Sequence, residues 1–372
     1  MASNPTQQKH SLGSVLVIGG CGFLGHNIVN LLCESYTCRV SVIDLRTIHN
    51  RRPESDGVQY FDADITTLSS LLPIFEKIKP DVVIHTASPT LVGGTKELYR
   101  KVNVEGTKCV IEACHKTNVK ALVYTSSASV VSDNASDLIN ADERWPVIAP
   151  KNQTEYYSLT KAEAEALVIA ANRSPKLLTA AIRPASIFGP GDVQLLPQIL
   201  RVLKNNQTRY QLGENTNLFD FTYVENIAHA HCLAARALLQ TYSASTAPLD
   251  YEKVDGEAFF ITNDSPLYFW DFARAVWKAG GSDKGIEQVW ELPKDLMLAA
   301  GAAAEWVMWL IGKRAKLTRR EVKYSCMTRY YNISKAKARL GYRPIVPLKE
   351  GIEKGVAWFI EQEKKDAEKK GQ

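Results

Sequence analysis

The stretch from Ser14 to Gly25, SVLVIGGCGFLG, constrains this chain more than any other. Ser14 to Ile18 is a short apolar run rich in β-branched residues and bounded by glycine, which predicts a strand. Beyond the glycines, Leu24, Ile28, Leu31 and Leu32 recur with the spacing of one helix face. Between the two, Gly19, Gly22 and Gly25 form a G-x-x-G-x-x-G pattern. Glycine there lets the turn take positive φ, lets the backbone approach a pyrophosphate and lets the helix pack closely on its strand. The phosphates would meet free N–H groups and the positive end of the helix dipole. A second apolar strand, Val40 to Ile43, ends in Asp44, 19 residues after Gly25. A carboxylate at that distance suits the ribose hydroxyls of an adenosine, and the order strand, turn, helix, strand, acid separates this pattern from a tight turn without a ligand.

A polar loop from Arg46 to Gly57 leads to a predicted strand, Val58 to Phe61, and the acidic turn Asp62-Ala63-Asp64. Helical spacing covers Leu68 to Lys77, Lys96 to Thr117 and, after a polar start at Lys151, the run up to Ala171. Apolar runs predict strands at Val82 to His85, Ala121 to Tyr124 and Leu177 to Ile182. Strands alternating with helices imply right-handed βαβ units, hence an α/β chain with a Rossmann-type, doubly wound parallel sheet. Ligands of such sheets bind beyond the carboxyl ends of the strands, so Asp44, Asp64, Ser88 and Ser127 are expected to face one crevice. After Gly189-Pro190-Gly191-Asp192 the alternation fades into short units, among them a helix from Val224 to Gln240 and a strand from Ala258 to Thr262. Residues 12–190 therefore read as a nucleotide-binding domain and 191–360 as a smaller C-terminal substrate lobe interleaved with the sheet. Residues 361–372 read as a charged, solvated, frayed tail.

Composition excludes several classes. With 45% hydrophobic and 23% charged residues and a net charge of +5, the 372-residue chain has the balance of a globular protein. No Arg/Lys stripe interleaved with aromatics runs through its first two thirds, so no nucleic-acid partner is expected. Its 7 cysteines form no C-x-x-C pair and read as reduced core residues, with neither a disulfide framework nor a metal site. The first ten residues are polar and lack an apolar core, which predicts no cleaved secretory signal.

Chemistry enters at Tyr157 and Lys161, four residues apart and so on one face of a helix. A tyrosine of ordinary pKa, about 10, is too weak a base at neutral pH. Lowering it by about three units needs only about 4 kcal/mol, which a desolvated lysine and a positive nicotinamide supply together. Ser127, beyond a strand end, is placed to hydrogen-bond the oxygen being deprotonated, and the set describes an alcohol dehydrogenation site. Tyr156 is five residues from Lys161 and points elsewhere; between Ser126 and Ser127 the sequence leaves the choice open.

The motifs GGCGFLG, YTSSAS, YYSLTK, IRPASIFGPGD and DFTYVEN, with the late NISKAKARLGYRP, together resemble the extended short-chain dehydrogenases. Within them the chain is similar to the 3β-hydroxysteroid dehydrogenase family, from Leu12 to Phe359. That resemblance implies NAD as cofactor and Ser127, Tyr157 and Lys161 as catalytic residues, with Lys161 also holding the nicotinamide ribose. It implies that NAD lies along Gly19, Gly22, Phe23, Leu24 and Gly25, with Asp44, Asp64 and Ile65 at its adenosine end. Ala87 and Ser88 would line it further along, and Pro184 with Ile187 would flank the nicotinamide. Asn103 either positions a helix bend or a water near Lys161, or is a surface or capping residue. Arg46 leaves room for NADP, because an arginine accommodates a 2′-phosphate.

The activity implied is oxidation of the 3β-hydroxyl of a 4α-carboxysterol to the 3-ketone with loss of carbon dioxide. Dehydrogenation without decarboxylation, and a nucleotide-sugar epimerase or dehydratase, stay open beside it. The resemblance also implies a sterol substrate and association with other enzymes of sterol C4 demethylation, and it leaves room for a homodimer.

Leu296 to Ile311 is a 16-residue apolar run with one charge, Glu305, and Lys313 to Arg320 hold five basic residues. A span needs about 20 apolar residues, so 296–320 reads as a peripheral membrane contact, and with the resemblance above the membrane implied is that of the endoplasmic reticulum, at its cytosolic face. The alternative is a buried helix lining an apolar cleft, and both readings favour a lipid-like substrate.

Overall fold

The structure, a computed structural model, describes residues 9–90, 93–286, 289–313, 315 and 318–370. Most of the polar N-terminus, Arg314 and Lys316 of the basic run, and the last two residues of the charged tail lie outside the described residues. Seven strands build one parallel sheet: β1 (His10–Ile18), β2 (Tyr36–Asp44), β3 (Gln59–Asp62), β4 (Val82–His85), β5 (Ala121–Thr125), β6 (Leu178–Pro184) and β7 (Glu257–Ile261). They stand in the order β7-β6-β5-β4-β1-β2-β3, and β4, β5 and β6 are buried along their whole length. Helices cover both faces, which is why these strands read as unbroken apolar runs instead of alternating ones. Phe23–Ser35 and Val224–Ser243 pack on one face. Leu68–Ile78, Thr107–Lys116 and Tyr156–Ala170 pack on the other. The order reverses between β1 and β4, and a crevice opens there beyond the strand ends.

The chain returns to the sheet late, since Val224–Ser243 lies against Phe23–Ser35 and β7 adds an outer strand beside β6. A second core, centred on Phe188, Phe219, Phe221 and Phe272, lies outside the sheet; the rings of Phe221 and Phe272 stack 3.7 Å apart. Beside it four short strands, Leu267–Tyr268, Leu218–Phe219, Arg329–Tyr331 and Leu138–Ala141, form a small sheet.

Two expectations need correction. The helix expected over Lys96 to Thr117 is interrupted by a π-helical segment, Arg100–Gly106, which ends where Gly106 packs on Ile65; a Cβ there would lie 2.7 Å from Ile65 Cδ1. The charged tail is not frayed among its described residues: up to Lys370 it continues the helix Leu348–Lys370. Ile352 and Val356 anchor that helix, and the pairs Lys365–Glu361 and Lys204–Glu363 hold its charged part.

The apolar run forms the helix Lys294–Leu310, and it is not buried: Gly301, pressed on the backbone of Arg319, is its one buried residue. Leu296, Ala299, Ala303, Trp306, Val307 and Leu310 recur at three- and four-residue steps on its exposed side, with Trp306 63% and Trp309 74% exposed. Arg319 pairs with Glu305 and Arg320 with Glu155, so less of the basic run is free than the sequence suggests. Among the described residues no helix is long and apolar enough to cross a membrane.

Candidate active site

The glycine turn leaves β1 at Gly19, whose φ is +81° and where a Cβ would lie 2.7 Å from Ala87 N. Gly25 is tighter still, because a Cβ there would lie 2.0 Å from Gly19 O. Gly22, with φ of −76°, would meet only that same oxygen at 3.2 Å. Phe23, Leu24 and Gly25 form the first helical turn, whose N–H groups have no intrahelical acceptor and open at the switch point of the sheet. A cradle that Cβ atoms would fill fits a pyrophosphate.

Asp44 ends β2 with both oxygens engaged: Oδ2 accepts from Cys21 N at 3.0 Å and Oδ1 from Leu45 N at 2.8 Å. The acid therefore braces the glycine turn and still has lone pairs for ribose hydroxyls. Arg46 lies exposed two residues on. Asp64 accepts from Thr66 N at 2.9 Å and lies 3.8 Å from Lys101 Nζ; beside it Ile65 is buried.

Beyond β4, Ser88 Oγ donates to Asn103 Oδ1 at 2.9 Å, Asn103 Nδ2 donates to Thr160 Oγ1 at 3.0 Å, and that hydroxyl donates to Tyr157 O at 2.9 Å. Asn103 is thus no surface or capping residue: at 1% exposure it ties the loop after β4 to the helix Tyr156–Ala170. That helix is further fixed to β6 by a buried two-point ion pair, Arg183 to Glu165, at 2.6 and 2.9 Å.

Tyr157 and Lys161 stand one turn apart on this helix, and the half-buried Tyr157 ring meets Tyr99 edge-on at 5.7 Å. Lys161 is buried, with Nζ donating to Thr125 O and lying 4.6 Å from the Tyr124 ring centroid. Burial pushes the Tyr157 hydroxyl up to about 12, with the Ser88 hydroxyl working the other way. Burial pushes the Lys161 amine down to about 7 against the pull of Glu165. The lysine alone does not give the expected lowering of Tyr157. Its desolvated amine is aimed at the end of β5.

Around that amine sit two histidines that no sequence signal singled out, since each lies in an apolar run. Burial holds His231 down at about 4 and His85 at about 3, with the charge of Lys161 acting in the same direction. A carbonyl can only accept, so His231 Nδ1 donates to Ile227 O and Nε2 accepts from Thr125 Oγ1, each at 2.8 Å. Neutral imidazoles leave the positive charge to Lys161.

Ser126 is sealed at 2% exposure, with its hydroxyl unpartnered among the described residues, whereas Ser127 is partly exposed. Ser127 Oγ lies 2.8 Å from Ser129 Oγ, which accepts from Ser158 Oγ at 2.8 Å. Pro184 ends β6, and Ile187 lies half-buried in the strand Ser186–Phe188, paired with Thr222.

A glycine turn at the switch point of this sheet, with a tyrosine and a buried lysine one turn apart beyond the strand ends, defines a nucleotide-linked oxidoreductase of the short-chain type. The chain belongs to the 3-beta hydroxysteroid dehydrogenase/isomerase family, which matches residues 16–294. It is 46% identical to a Schizosaccharomyces pombe protein named sterol-4-alpha-carboxylate 3-dehydrogenase, decarboxylating, over 95% of this chain and 99% of the relative. A Saccharomyces cerevisiae protein of that name is 42% identical over 94% of this chain and 99% of its own length. A human one is 34% identical over 92% and 87%. Among solved structures, a Thermus thermophilus UDP-glucose 4-epimerase complex with NAD shares the fold at a TM-score of 0.66 and 22% identity, covering 93% of this chain and 98% of that one.

Proposed function

We propose that this chain is an NAD-dependent dehydrogenase that oxidises the 3β-hydroxyl of a 4α-carboxysterol to the 3-ketone and releases carbon dioxide. The observation that carries the proposal is 46% identity across nearly the whole chain to a relative bearing that name, on a scaffold that keeps Ser127, Tyr157 and Lys161 beyond the ends of its strands.

NAD, when bound, supplies the hydride acceptor and a positive ring beside the phenol. Tyr157 takes the C3 hydroxyl proton as the C3 hydrogen leaves with its electron pair, and Lys161, one turn deeper, offsets the phenolate. Ser127 holds the same oxygen. The product is a β-keto acid, in which the C4–carboxyl bond breaks and its electron pair flows into the C3 carbonyl. Ser127 and the newly protonated Tyr157 donate to the resulting enolate oxygen, a contribution of roughly 3 kcal/mol per donor, and protonation at C4 completes the step. One NADH and one carbon dioxide per 4α-carboxysterol, with a decarboxylated 3-keto sterol as product, is the expected stoichiometry. A product that keeps its carboxylate, or turnover confined to sterols unsubstituted at C4, would leave a plain 3β-hydroxysteroid dehydrogenase.

We further propose that the exposed side of Lys294–Leu310 lies in the cytosolic face of the endoplasmic reticulum membrane, with Lys313 toward lipid headgroups. With Arg319 and Arg320 already paired, the apolar stripe dominates binding. Flotation with vesicles of phosphatidylcholine and phosphatidylserine should therefore carry the protein up even in high salt, where charge attraction is screened. The double variant Trp306→Glu, Trp309→Glu should stay at the bottom. A parent protein that fails to float at low salt would refute the contact.

A further inference from the structure

Arg329 takes no part in the reaction steps assigned to Ser127, Tyr157 and Lys161. Its strand, Arg329–Tyr331, lies between Leu218–Phe219 and Leu138–Ala141, and the side chain is only 9% exposed. A buried guanidinium ordinarily has a carboxylate partner, as Arg183 has in Glu165, because an unpaired buried charge is costly. Arg329 has none within 4.0 Å among the described residues: its Nε donates to Tyr331 Oη at 2.9 Å, and its two terminal nitrogens take no protein acceptor there and, unlike Arg183 Nη1, are not sealed off, so they stay within reach of solvent and of a ligand. Glu155, whose charge acts on it, is held by Arg320 at 3.0 Å. Asp220, on the neighbouring segment, spends Oδ2 on Tyr331 N at 2.8 Å, and burial pushes its carboxyl up to about 7, so it is a poor counter-ion near neutrality.

Tyr331, Tyr324 and Glu155 each connect Arg329 to segments that carry the reacting centre. Tyr331 Oη donates to Ala128 O, next to Ser127. Tyr324, whose phenol acts electrostatically on Arg329, shares a 2.9 Å hydrogen bond with Ser186 Oγ, two residues past Pro184. Glu155 immediately precedes the helix that carries Tyr157. Tyr324 belongs to the helix Arg319–Cys326, which packs on the apolar helix Lys294–Leu310.

We infer that the free fork of Arg329 binds the carboxylate of the substrate, supplying from the ligand the counter-ion the fold withholds. The inference rests on the proposed 4α-carboxysterol reading. A guanidinium fork matches a carboxylate at two points, and a neutral sterol offers it nothing. Carbon dioxide is uncharged, so the contact favours the acid over the departing product. Arg329 therefore selects and orients the acid before hydride removal and does not assist breakage of the C4 bond.

The test measures affinity, with NADH in place of NAD so that no turnover occurs. The two ligands are a 4α-carboxy-3β-hydroxysterol and the matching 4α-methyl sterol. Arg329→Gln should lower affinity for the acid roughly 30-fold, the scale of a charged two-point contact, and change that for the methyl sterol less than about threefold. Arg329→Lys should recover part of the loss, and the midpoint of thermal unfolding should hold or rise in Arg329→Gln, since the charge removed has no carboxylate partner in the fold. Equal losses for both ligands, unchanged affinity for the acid, or a lowered unfolding midpoint with both ligands lost would each overturn the inference. Turnover is read separately: a parent protein that binds the acid through Arg329 but does not oxidise it would sink the proposed reaction and leave the carboxylate contact standing.

Discussion

Tyr157→Phe is expected to lower kcat for sterol oxidation by about 10³-fold while NAD affinity changes less than about threefold, the scale of a lost acid–base group. The ring keeps its edge-on packing against Tyr99, and the main-chain carbonyl still accepts from Thr160, so only the phenol oxygen is lost. In the parent the rate should rise with pH until the phenol ionises, because burial holds that group above its ordinary value and only its deprotonated form accepts the substrate proton. The slope should vanish in the variant. Steady-state NADH absorbance across pH, beside an equilibrium titration with NAD in the absence of sterol, measures both quantities. Activity within tenfold of the parent would remove Tyr157 as the base.

The second large effect is expected at Gly25. In Gly25→Ala the new methyl would lie 2.0 Å from Gly19 O and 2.7 Å from Gly19 C, both backbone atoms that cannot swing aside. Either the helix Phe23–Ser35 lifts from β1 or the turn opens; the expected cost is about 3 kcal/mol of stability, with NAD affinity reduced more than tenfold. Gly22→Ala is the control, since its methyl meets that oxygen at 3.2 Å and its φ of −76° suits alanine. It should cost less than about 1 kcal/mol. Urea unfolding and NADH titration of both variants check this, and equal losses at the two positions would contradict the close packing at Gly25.

Much of the sheet is legible in the sequence because buried parallel strands read as apolar runs that end in glycine or polar residues, as at Ile18, Ile43 and His85. The helical pairing of Tyr157 with Lys161 follows from spacing alone. What spacing does not carry is the aim of a flexible side chain. Lys161 has four rotatable bonds, and its hydrogen bond to the end of β5 depends on where Thr125 sits, more than thirty residues away in sequence. The π-helical segment is equally silent, because a run of only seven residues is too short for its wider turn to stand out from ordinary helical spacing between Lys96 and Thr117. Arg329 stands in a three-residue strand, too short for any periodicity to show which way its side chain faces.

The late return of the chain to its sheet has a consequence during synthesis. β6 ends at residue 184 and β7 begins at residue 257, 73 residues later. At about 5–20 residues per second, a ribosome takes roughly 4–15 seconds to cross that interval. Throughout it the glycine turn and the helix bearing Tyr157 have already been translated, yet one flank of β6 still shows unpaired N–H and C=O groups beside buried-type side chains. A ribosome that stalls there holds a nascent chain with an open sheet edge, ready to pair with a strand from its neighbour on the same message.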